Sequence, residues 1–321
     1  MLLILKVITI ACLLLATPTL NYALETYVPK KVVLGTYSKR TNKFGTYNVP
    51  WIDVRATHVA VDDHRNIYVL DRQAKRVLLL SQQGKLIKEI NLSAVDFSDK
   101  SDELGDEGYI EYQLEVSSDG KFIYVTEGGK ENNWAVLHNT GAIIKRNIPL
   151  NWLRRECEDR FEADSGAIEV DNKLNLIKKL DFIGEKEKRR VIDSENNVYY
   201  LNLDDRSSNR VILTKLDVNR KQVFRKVVLN NSAPLVFIGI DGNNNIYMVV
   251  DSPRNILKVS SDGIIQAKIA IPTDPFFKGW NKCKVLCDGI IFCTPDYSAL
   301  WHANRGKLIT GEYLIYFFEK K

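Results

Sequence analysis

Histidine is scarce in this sequence, and its four residues are far apart at His58, His64, His138 and His302. The motifs GxSxG, HExxH, CxxCH and the phosphate-binding GxxxxGK[ST] are all missing. The sequence therefore lacks the motifs that usually identify a serine hydrolase, a zinc protease, a c-type haem protein or a P-loop nucleotidase. The sequence therefore predicts no multi-histidine metal centre and identifies no specific reaction.

A strong charge imbalance is also lacking, since 45 Lys and Arg stand against 40 Asp and Glu, a formal net charge of +5. An excess this small and dispersed predicts no nucleic-acid partner. Helical periodicity is nearly absent: only "AVDFSDKSDEL" and "NWLRRECEDRFEA" indicate a turn or two of helix. With 45% hydrophobic and 26% charged residues, the chain has the composition of a globular protein with a full core.

Long apolar runs are confined to the first 23 residues, "MLLILKVITIACLLLATPTLNYA". Lys6 precedes an apolar run that is shorter than the roughly 20 residues needed to span a bilayer, and this fits a secretory signal. We expect residues 1–23 to be a signal peptide, cleaved between Ala16 and Ala23, and the mature protein to be secreted or periplasmic without membrane insertion. The alternatives are an uncleaved anchor or a lipid-modified Cys12, although Thr9 stands where a lipobox has Leu or Val.

Four cysteines remain after such cleavage, and an even number in an oxidising compartment permits two disulfides. Three of them lie on one apparent hairpin, "CKVLCDGIIFC". A three-residue loop at 287–289 places Cys283 opposite Cys293 and leaves Cys287 for Cys157, whereas a two-residue Asp-Gly turn breaks this register. Zinc ligation is the alternative, but CxxC pairs are missing and only His302 is near.

An internal repeat dominates the rest of the chain. The stretch "VDDHRNIYVLDRQAKRVLLLSQQGKLIKEI" has an Asp/Asn turn, an aromatic-containing strand, and two further strands joined by a Gly turn. Four other stretches, near Ser117, Asp193, Asp241 and Asp288, follow the same order. The aromatic after the first turn is Tyr68, Tyr124, Tyr199, Tyr247 or Phe292. Each unit is therefore predicted to be a four-stranded meander.

Sheets of this kind repeated at such spacing stack radially, so we predict an all-β chain that forms a β-propeller. The first unit resembles an NHL repeat, and the resemblance extends more weakly over 59–318. A wider gap before Tyr199 leaves room for a degenerate blade with its remnant at Gly166–Glu185, giving six four-stranded blades, with five or seven as alternatives. The strand-like "YVPKKVVLGTY" is expected to complete the last blade, within one domain spanning 24–321.

Polar residues on the predicted inner strands are candidates to line the central tunnel. Alignment on the Asp turn places His58, Gln113, Arg189 and Phe237 at one equivalent position, and Glu115 follows two residues after Gln113. The candidates are thus His58, Gln113, Glu115 and Arg189. A His beside a carboxylate and a guanidinium could support acid–base chemistry, but polar residues also line propeller tunnels simply because water fills them.

The long links between units form the predicted binding face. They combine an acidic segment with exposed aromatic and arginine residues: Asp102, Glu103, Asp106, Glu107, Glu111, Trp152, Arg154, Arg155, Phe276, Phe277 and Trp280. Such a face suits a cation, a peptide or a glycan, although a solvated loop with plugging aromatics would look the same. Calcium is conceivable for the acidic segment, but the DxDxDG spacing is missing. No cofactor is therefore predicted.

These features predict a non-catalytic scaffold that binds a protein, peptide or glycan and is a monomer. The alternative is a secreted hydrolase or lyase, because related propellers include lactonases and lyases with a metal at the tunnel mouth. Those families gather several His, Asp, Asn or Glu ligands from successive inner strands, whereas Arg189 and Phe237 occupy such positions here. A third possibility is an accessory subunit of an envelope complex, held by its aromatic loops.

Overall fold

The structure is a computed structural model, and it describes residues 25–37, 59–71, 75–97, 114–126, 134–148, 154–156, 160–163, 166–170, 176–181, 190–204, 210–229, 235–250, 255–271, 283–293 and 311–321. In these residues, 24 strands form six four-stranded antiparallel sheets. The chain is an all-β propeller, as the repeats predict. The number of blades in the complete ring stays a prediction.

The six sheets follow one another along the chain. The first contains β2 (Val59–Val61), β3 (Ile67–Asp71), β4 (Arg76–Leu80) and β5 (Leu86–Asn91), and the second β6 (Leu114–Val116), β7 (Phe122–Thr126), β8 (Trp134–His138) and β9 (Ile143–Ile148). The third contains β10 (Arg154–Glu156), β11 (Arg160–Ala163), β12 (Gly166–Val170) and β13 (Leu176–Asp181), and the fourth β14 (Arg190–Ile192), β15 (Val198–Asp204), β16 (Arg210–Leu216) and β17 (Gln222–Leu229). The fifth contains β18 (Leu235–Ile240), β19 (Ile246–Val250), β20 (Asn255–Val259) and β21 (Ile265–Ala270), and the sixth β22 (Cys283–Val285), β23 (Ile291–Cys293), β24 (Gly311–Lys320) and β1 (Tyr27–Tyr37).

Packing between sheets explains why the middle strands are continuously apolar. In β3, Ile67 and Val69 enter a core shared with the sixth sheet, whereas Tyr68 and Leu70 enter a core shared with the second sheet. Because successive side chains of a strand point to opposite faces, a strand sandwiched between two sheets needs apolar residues on both. Two more cores join the fourth sheet to the fifth and the fifth to the sixth.

The N-terminal strand β1 completes the sixth sheet, which confirms the prediction for "YVPKKVVLGTY". It pairs antiparallel with β24, from Tyr27 opposite Lys320 to Tyr37 opposite Gly311. Val32 is buried in the core between the sixth and first sheets. The backbone N–H of Lys321 donates to the carbonyl of Thr26 at 2.9 Å, so the two ends of the described chain lie together.

A charged cluster fastens this strand to the fifth sheet. Glu25 accepts hydrogen bonds from Lys258 at 2.8 Å and from Lys320 at 2.7 Å, and the Lys258 side chain is only 9% exposed. Burial disfavours the charged form of Glu25, but the two lysine hydrogen bonds outweigh it and hold the pKa of Glu25 below its usual value. Burial likewise acts against charged Lys258, yet the hydrogen bond to Glu25 raises its pKa overall.

One expectation about the middle of the chain is wrong. The segment "NWLRRECEDRFEA" contains β10 and β11 instead of a helical turn, because pairing along a sheet outweighs local helix preference: Arg154 lies opposite Glu162, and Phe161 opposite Ile168. The segment predicted as the remnant of a degenerate blade contains β12 and β13, the outer half of a four-stranded third sheet. In the other candidate helix, the described residues 94–97 contain no helical turn; the Val95 N–H donates to the Leu92 carbonyl and closes a turn at 92–95.

Candidate functional site

The aspartates that mark the repeat hold the turns after the inner strands. In the fourth sheet, Oδ1 of buried Asp193 accepts from the N–H groups of Glu195 and Asn197, while Oδ2 accepts from Asn197 Nδ2 at 2.8 Å and the Tyr199 hydroxyl at 2.9 Å. The same Asp–Asn–Tyr cluster occurs as Asp62–Asn66–Tyr68 and Asp241–Asn245–Tyr247. These carboxylates act as turn formers, as predicted for Asp62.

The tyrosines of these clusters are kept neutral. Burial disfavours the phenolate and the nearby carboxylate repels it, so the pKa of each of Tyr68, Tyr199 and Tyr247 lies well above its usual value. The Tyr68 hydroxyl also lies 3.3 Å from the Gly120 carbonyl of the second sheet. A tyrosine held as a buried hydrogen-bond donor serves packing between sheets, and none of the three is poised to act as a base.

The second and sixth sheets change the cluster without losing the turn. In the sixth sheet Leu286, Ile290 and Phe292 take the positions of Asp, Asn and Tyr, and all three are buried. The side-chain acceptor of this turn is Asp288, two residues after Leu286: its Oδ1 accepts from the Ile290 N–H at 3.0 Å. In the second sheet Ser117 replaces the aspartate and its hydroxyl accepts from the Phe122 N–H.

Hydrogen bonds also connect these turns to one another at one face of the propeller, which we call the turn face. The Asp63 N–H donates to the Ser118 carbonyl at 3.0 Å, joining the first and second sheets, and the Gly242 N–H donates to the Cys287 carbonyl at 2.8 Å, joining the fifth and sixth. The Ser194 N–H donates to Asn244 Oδ1 at 3.1 Å between the fourth and fifth sheets. At the opposite face, which we call the link face, the described outer strands end and the next inner strands begin.

Among the tunnel candidates, the structure describes Glu115. It lies on β6 opposite Tyr124, and its carboxylate forms an ion pair with the ammonium of Lys284. Lys284 is on β22 and lies opposite Phe292. Its position in the sixth sheet is equivalent to that of Glu115 in the second sheet. The first sheet packs against both the second and the sixth, so this pair spans two inner strands that flank a third. The side chains are 13% and 34% exposed, respectively.

Lys284 was missed by the sequence alignment for an identifiable reason. That alignment started from the aspartate at the end of each inner strand, and the sixth sheet has Leu286 there. The remaining tunnel candidates, His58, Gln113 and Arg189, lie outside the described residues, and their tunnel-lining role stays a prediction. Phe237, which shares their alignment position, is buried in the core between the fourth and fifth sheets.

The predicted binding face falls mostly outside the described residues. This applies to Asp102, Glu103, Asp106, Glu107, Glu111, Trp152, Phe276, Phe277 and Trp280. Arg154 and Arg155 were predicted to lie on a link, and this is wrong: both lie on β10, the inner strand of the third sheet, because the segment pairs with β11. The link that carries the acidic residues begins from a fixed base, because Leu92, Val95 and Phe97 are buried in the core between the first and second sheets. Its role in binding stays a prediction.

The hairpin register of the cysteines is confirmed. Cys283 lies directly opposite Cys293, with a Cα–Cα distance of 4.1 Å, and the two form a disulfide. The Leu286 N–H donates to the Ile290 carbonyl, which closes the expected three-residue loop at 287–289. Cys287 is itself disulfide-bonded. Its predicted partner, Cys157, lies outside the described residues, so that pairing stays a prediction.

The described residues contain neither grouped metal ligands nor a membrane-spanning helix. Within the ranges that the structure describes, no three His, Cys, Asp or Glu side chains are grouped so that they could hold a metal ion. The acidic segment considered for calcium lies mainly outside those ranges. His64 is exposed in a turn and His138 ends β8, whereas His302 is not described. No helix in the described part of the chain has the length and apolarity needed to cross a bilayer.

Comparison with known proteins yields structural similarity alone. No protein-family model matches the chain, and no curated protein does. Among solved structures, virginiamycin B lyase from Staphylococcus aureus is 12% identical, with a TM-score of 0.45, covering 92% of this chain and 100% of the lyase. A member of the DUF4221 family from Bacteroides vulgatus is 10% identical, with a TM-score of 0.48, covering 94% of this chain and 99% of that one.

A third similar structure is regucalcin, a calcium-binding protein from Agrobacterium tumefaciens. It is 11% identical, with a TM-score of 0.43, over 83% of this chain and 90% of regucalcin. Likeness at these identities and TM-scores carries no argument about the function of this chain. The candidate site is therefore assessed on the geometry of its own residues.

Proposed function

We propose that this protein is an exported, NHL-repeat-like propeller that binds a protein, peptide or glycan and catalyses no reaction. The observation that carries the proposal is the Glu115–Lys284 ion pair. A general base or a divalent-metal ligand needs a carboxylate whose charge is available to a proton or a cation. The charge of Glu115 is matched by an ammonium of the same chain, and the repeated Asp carboxylates are engaged in their own turns.

The binding surface in this proposal is the link face. Its first long link leaves the core at Phe97, so the acidic residues that follow start from a packed base. Aromatic and arginine side chains beside an acidic patch are typical of protein and peptide interfaces, where Trp, Tyr and Arg contribute most of the binding energy. Trp152, Trp280 and Arg154 are the residues that we expect to contribute most.

The same proposal includes the processing and location of the chain. A signal peptide at 1–23 would release a mature domain of 24–321 into a secreted or periplasmic environment, where it acts as a monomer. The Cys283–Cys293 disulfide supports an oxidising compartment, because cytosolic proteins keep their thiols reduced. Both cysteines are buried, so the bond is protected inside the sixth sheet.

Binding is tested with the purified domain on peptide and glycan arrays, followed by titration of the best ligand. We expect saturable binding that Trp280→Ala weakens about tenfold or more, as for an aromatic anchor of an interface. Trp301→Ala, at a tryptophan not assigned to the binding face, is the matched control. Absence of saturable binding to any peptide or glycan, or equal losses in both variants, contradicts the scaffold.

Metal content separates the scaffold from the hydrolase or lyase alternative. The protein is dialysed against Ca²⁺, Zn²⁺ and Mn²⁺ and its bound metal is measured by elemental analysis. We expect substoichiometric metal, with no change in Glu115→Gln. One tightly held metal ion per chain that disappears in Glu115→Gln would instead establish a metal centre and favour the enzyme.

A further inference from the structure

The end of the outer strand β5 carries the tripeptide Asn91-Leu92-Ser93. Asn-x-Ser, with any residue but proline in the middle, is the acceptor sequence for N-linked glycans, and in exported proteins it marks surface segments. A match of three residues arises often by chance. The structure around the asparagine therefore decides whether this one is suited to carry a glycan.

The Asn91 side chain is exposed, and its two polar atoms have different surroundings. Its Oδ1 accepts from the Ser93 N–H at 2.7 Å, which closes a turn between the two residues. Within the described ranges, no group accepts a hydrogen bond from Nδ2. Because an N-linked glycan is bonded to this nitrogen, the atom of Asn91 that would carry the sugar is free.

The middle residue of the tripeptide fixes the chain in place. Leu92 is fully buried in the core between the first and second sheets, and its N–H donates to the Lys75 carbonyl at 2.7 Å. Its own carbonyl accepts from the Val95 N–H at 2.8 Å. Ser93, on the other side of Leu92, is exposed, as Asn91 is. A sugar on Asn91 would therefore extend from a fixed segment without displacing a core residue.

The asparagines of the repeated turns do not have these properties. Asn66, Asn197 and Asn245 donate through Nδ2 to the carboxylate of their own turn, and the last two are only 8% exposed. None of the three is followed two residues later by Ser or Thr. Asn91 thus combines the acceptor sequence with exposure and a free amide nitrogen. The other match to the acceptor sequence, at 230–232, lies outside the described residues.

We propose that Asn91 is an N-glycosylation site of the exported protein. In the transfer, Nδ2 forms a bond to the anomeric carbon of an oligosaccharide carried by a lipid pyrophosphate, and the bond from that carbon to the pyrophosphate oxygen breaks. The lipid pyrophosphate leaves with the electron pair, and a base of the transferase takes the amide proton. The glycan stands at the rim of the link face, where β5 ends. This inference rests on the proposed export, because only exported chains meet such a transferase.

A purely structural role for Asn91 makes a different prediction. The turn needs only Oδ1 of Asn91, which an aspartate also provides, so Asn91→Asp keeps the turn and removes the amide nitrogen. Ser93→Ala keeps the turn as well, since the donor is the backbone N–H, and removes the hydroxyl that the acceptor sequence requires. If Asn91 serves the turn alone, the secreted protein carries no glycan at this position.

The test uses the full chain, secreted through its own N-terminal segment from eukaryotic cells that attach N-linked glycans. Its intact mass is measured before and after treatment with an N-glycosidase, which converts a glycosylated asparagine to aspartate, and peptide mapping locates the converted residue. We expect a loss of mass on treatment, with the conversion at Asn91. Asn91→Asp and Ser93→Ala should lose this modification completely. Ser93→Thr is the matched control and should keep it, because threonine also satisfies the acceptor sequence.

A secreted chain with unmodified Asn91 overturns the inference. A glycan found at Asn230 alone, or one at Asn91 that persists in Ser93→Ala, does the same. Secretion without this glycan leaves the proposed function intact, since export has then occurred and ligand binding is measured separately. A chain that is retained inside the cell contradicts the proposed export and this inference together.

Discussion

At the scale of single residues, the described turns after the inner strands are built in three ways, one of which uses Ser117 in the second sheet. Three sheets bury an aspartate that satisfies the turn through the Asp–Asn–Tyr cluster, and the sixth sheet buries Leu286, Ile290 and Phe292 instead. All members of a set change together for an energetic reason. A buried donor that loses its acceptor destabilises the fold, whereas replacing the donor and the acceptor together by apolar residues costs little. The cluster is thus a unit of stability.

Transplanting the apolar set into the first sheet tests this unit. Asp62→Leu alone removes the acceptor for the Asn66 N–H, Asn66 Nδ2 and the Tyr68 hydroxyl, and should reduce the free energy of unfolding by roughly 3 kcal/mol or more. Adding His64→Asp, Asn66→Ile and Tyr68→Phe should recover much of that loss. Urea unfolding measures both variants. If the quadruple variant is less stable than Asp62→Leu alone, the four residues act independently.

The same residues show how far sequence reasoning reaches at this scale. The sequence predicts that Asp62 and its equivalents form turns, because Asp clusters with Asn or Gly in the turn of each of the five repeats. Lys284 was not recognised, since its sheet lacks the aspartate that set the alignment. A contact between inner strands of non-adjacent sheets leaves no local pattern, so the Glu115–Lys284 pair could emerge only from the assembled propeller.

At the scale of strands, hairpins with strong turn signals were predictable and isolated strands were less so. The three-residue loop predicted the cysteine register, and the strand-like composition of residues 27–37 predicted β1. In contrast, β10 and β11 lie in a segment rich in Arg and Glu, whose local preferences favour helix. Only pairing with β12 makes that segment extended, and this partner is not visible in the local sequence.

The attachment of β1 should depend on pH through Glu25. Its pKa is lowered in the folded state, so the stabilisation is fully present above the unfolded value of about 4.3 and is lost as pH falls through the folded pKa. Glu25→Gln should cost about 1–2 kcal/mol at pH 7, because it leaves Lys258 without its carboxylate. Urea unfolding from pH 7 to pH 3 should show the gap between the two proteins closing below about pH 4.

Glu89→Gln provides the control for this measurement. Glu89 is the exposed partner of Arg76 on β5, where an ion pair contributes about 1 kcal/mol or less. A gap for Glu25→Gln that stays constant down to pH 3 would mean that the carboxylate charge does not fasten β1. A gap no larger than that of Glu89→Gln at pH 7 would mean the same.

At the scale of the whole molecule, contacts between sheets that are distant in sequence hold the ring together. The disulfide of Cys287 adds a covalent link, and Cys287 lies in the turn after the inner strand of the sixth sheet. Cys283 and Cys293 bond to each other, and Cys12 belongs to the proposed signal peptide. We therefore predict that Cys157, which follows β10 of the third sheet, is the partner of Cys287.

Peptide mapping without reduction tests that pairing in the mature protein. We expect one cross-linked peptide joining the regions of Cys157 and Cys287, and a second linkage within the hairpin that carries Cys283 and Cys293. Reduction with a small thiol should separate the first pair and leave the buried pair slower to react, because Cys283 and Cys293 are buried. A free thiol at Cys157 would refute the prediction.

The hydrogen bond between Lys321 and Thr26 has a consequence for chain connectivity. Since this hydrogen bond of 2.9 Å holds Thr26 and Lys321 side by side, a short linker could connect these two residues in a circular form of residues 26–321. New ends could then be opened in a link between any two sheets, with every strand keeping its neighbours. The order of the six described sheets therefore permits circular permutation.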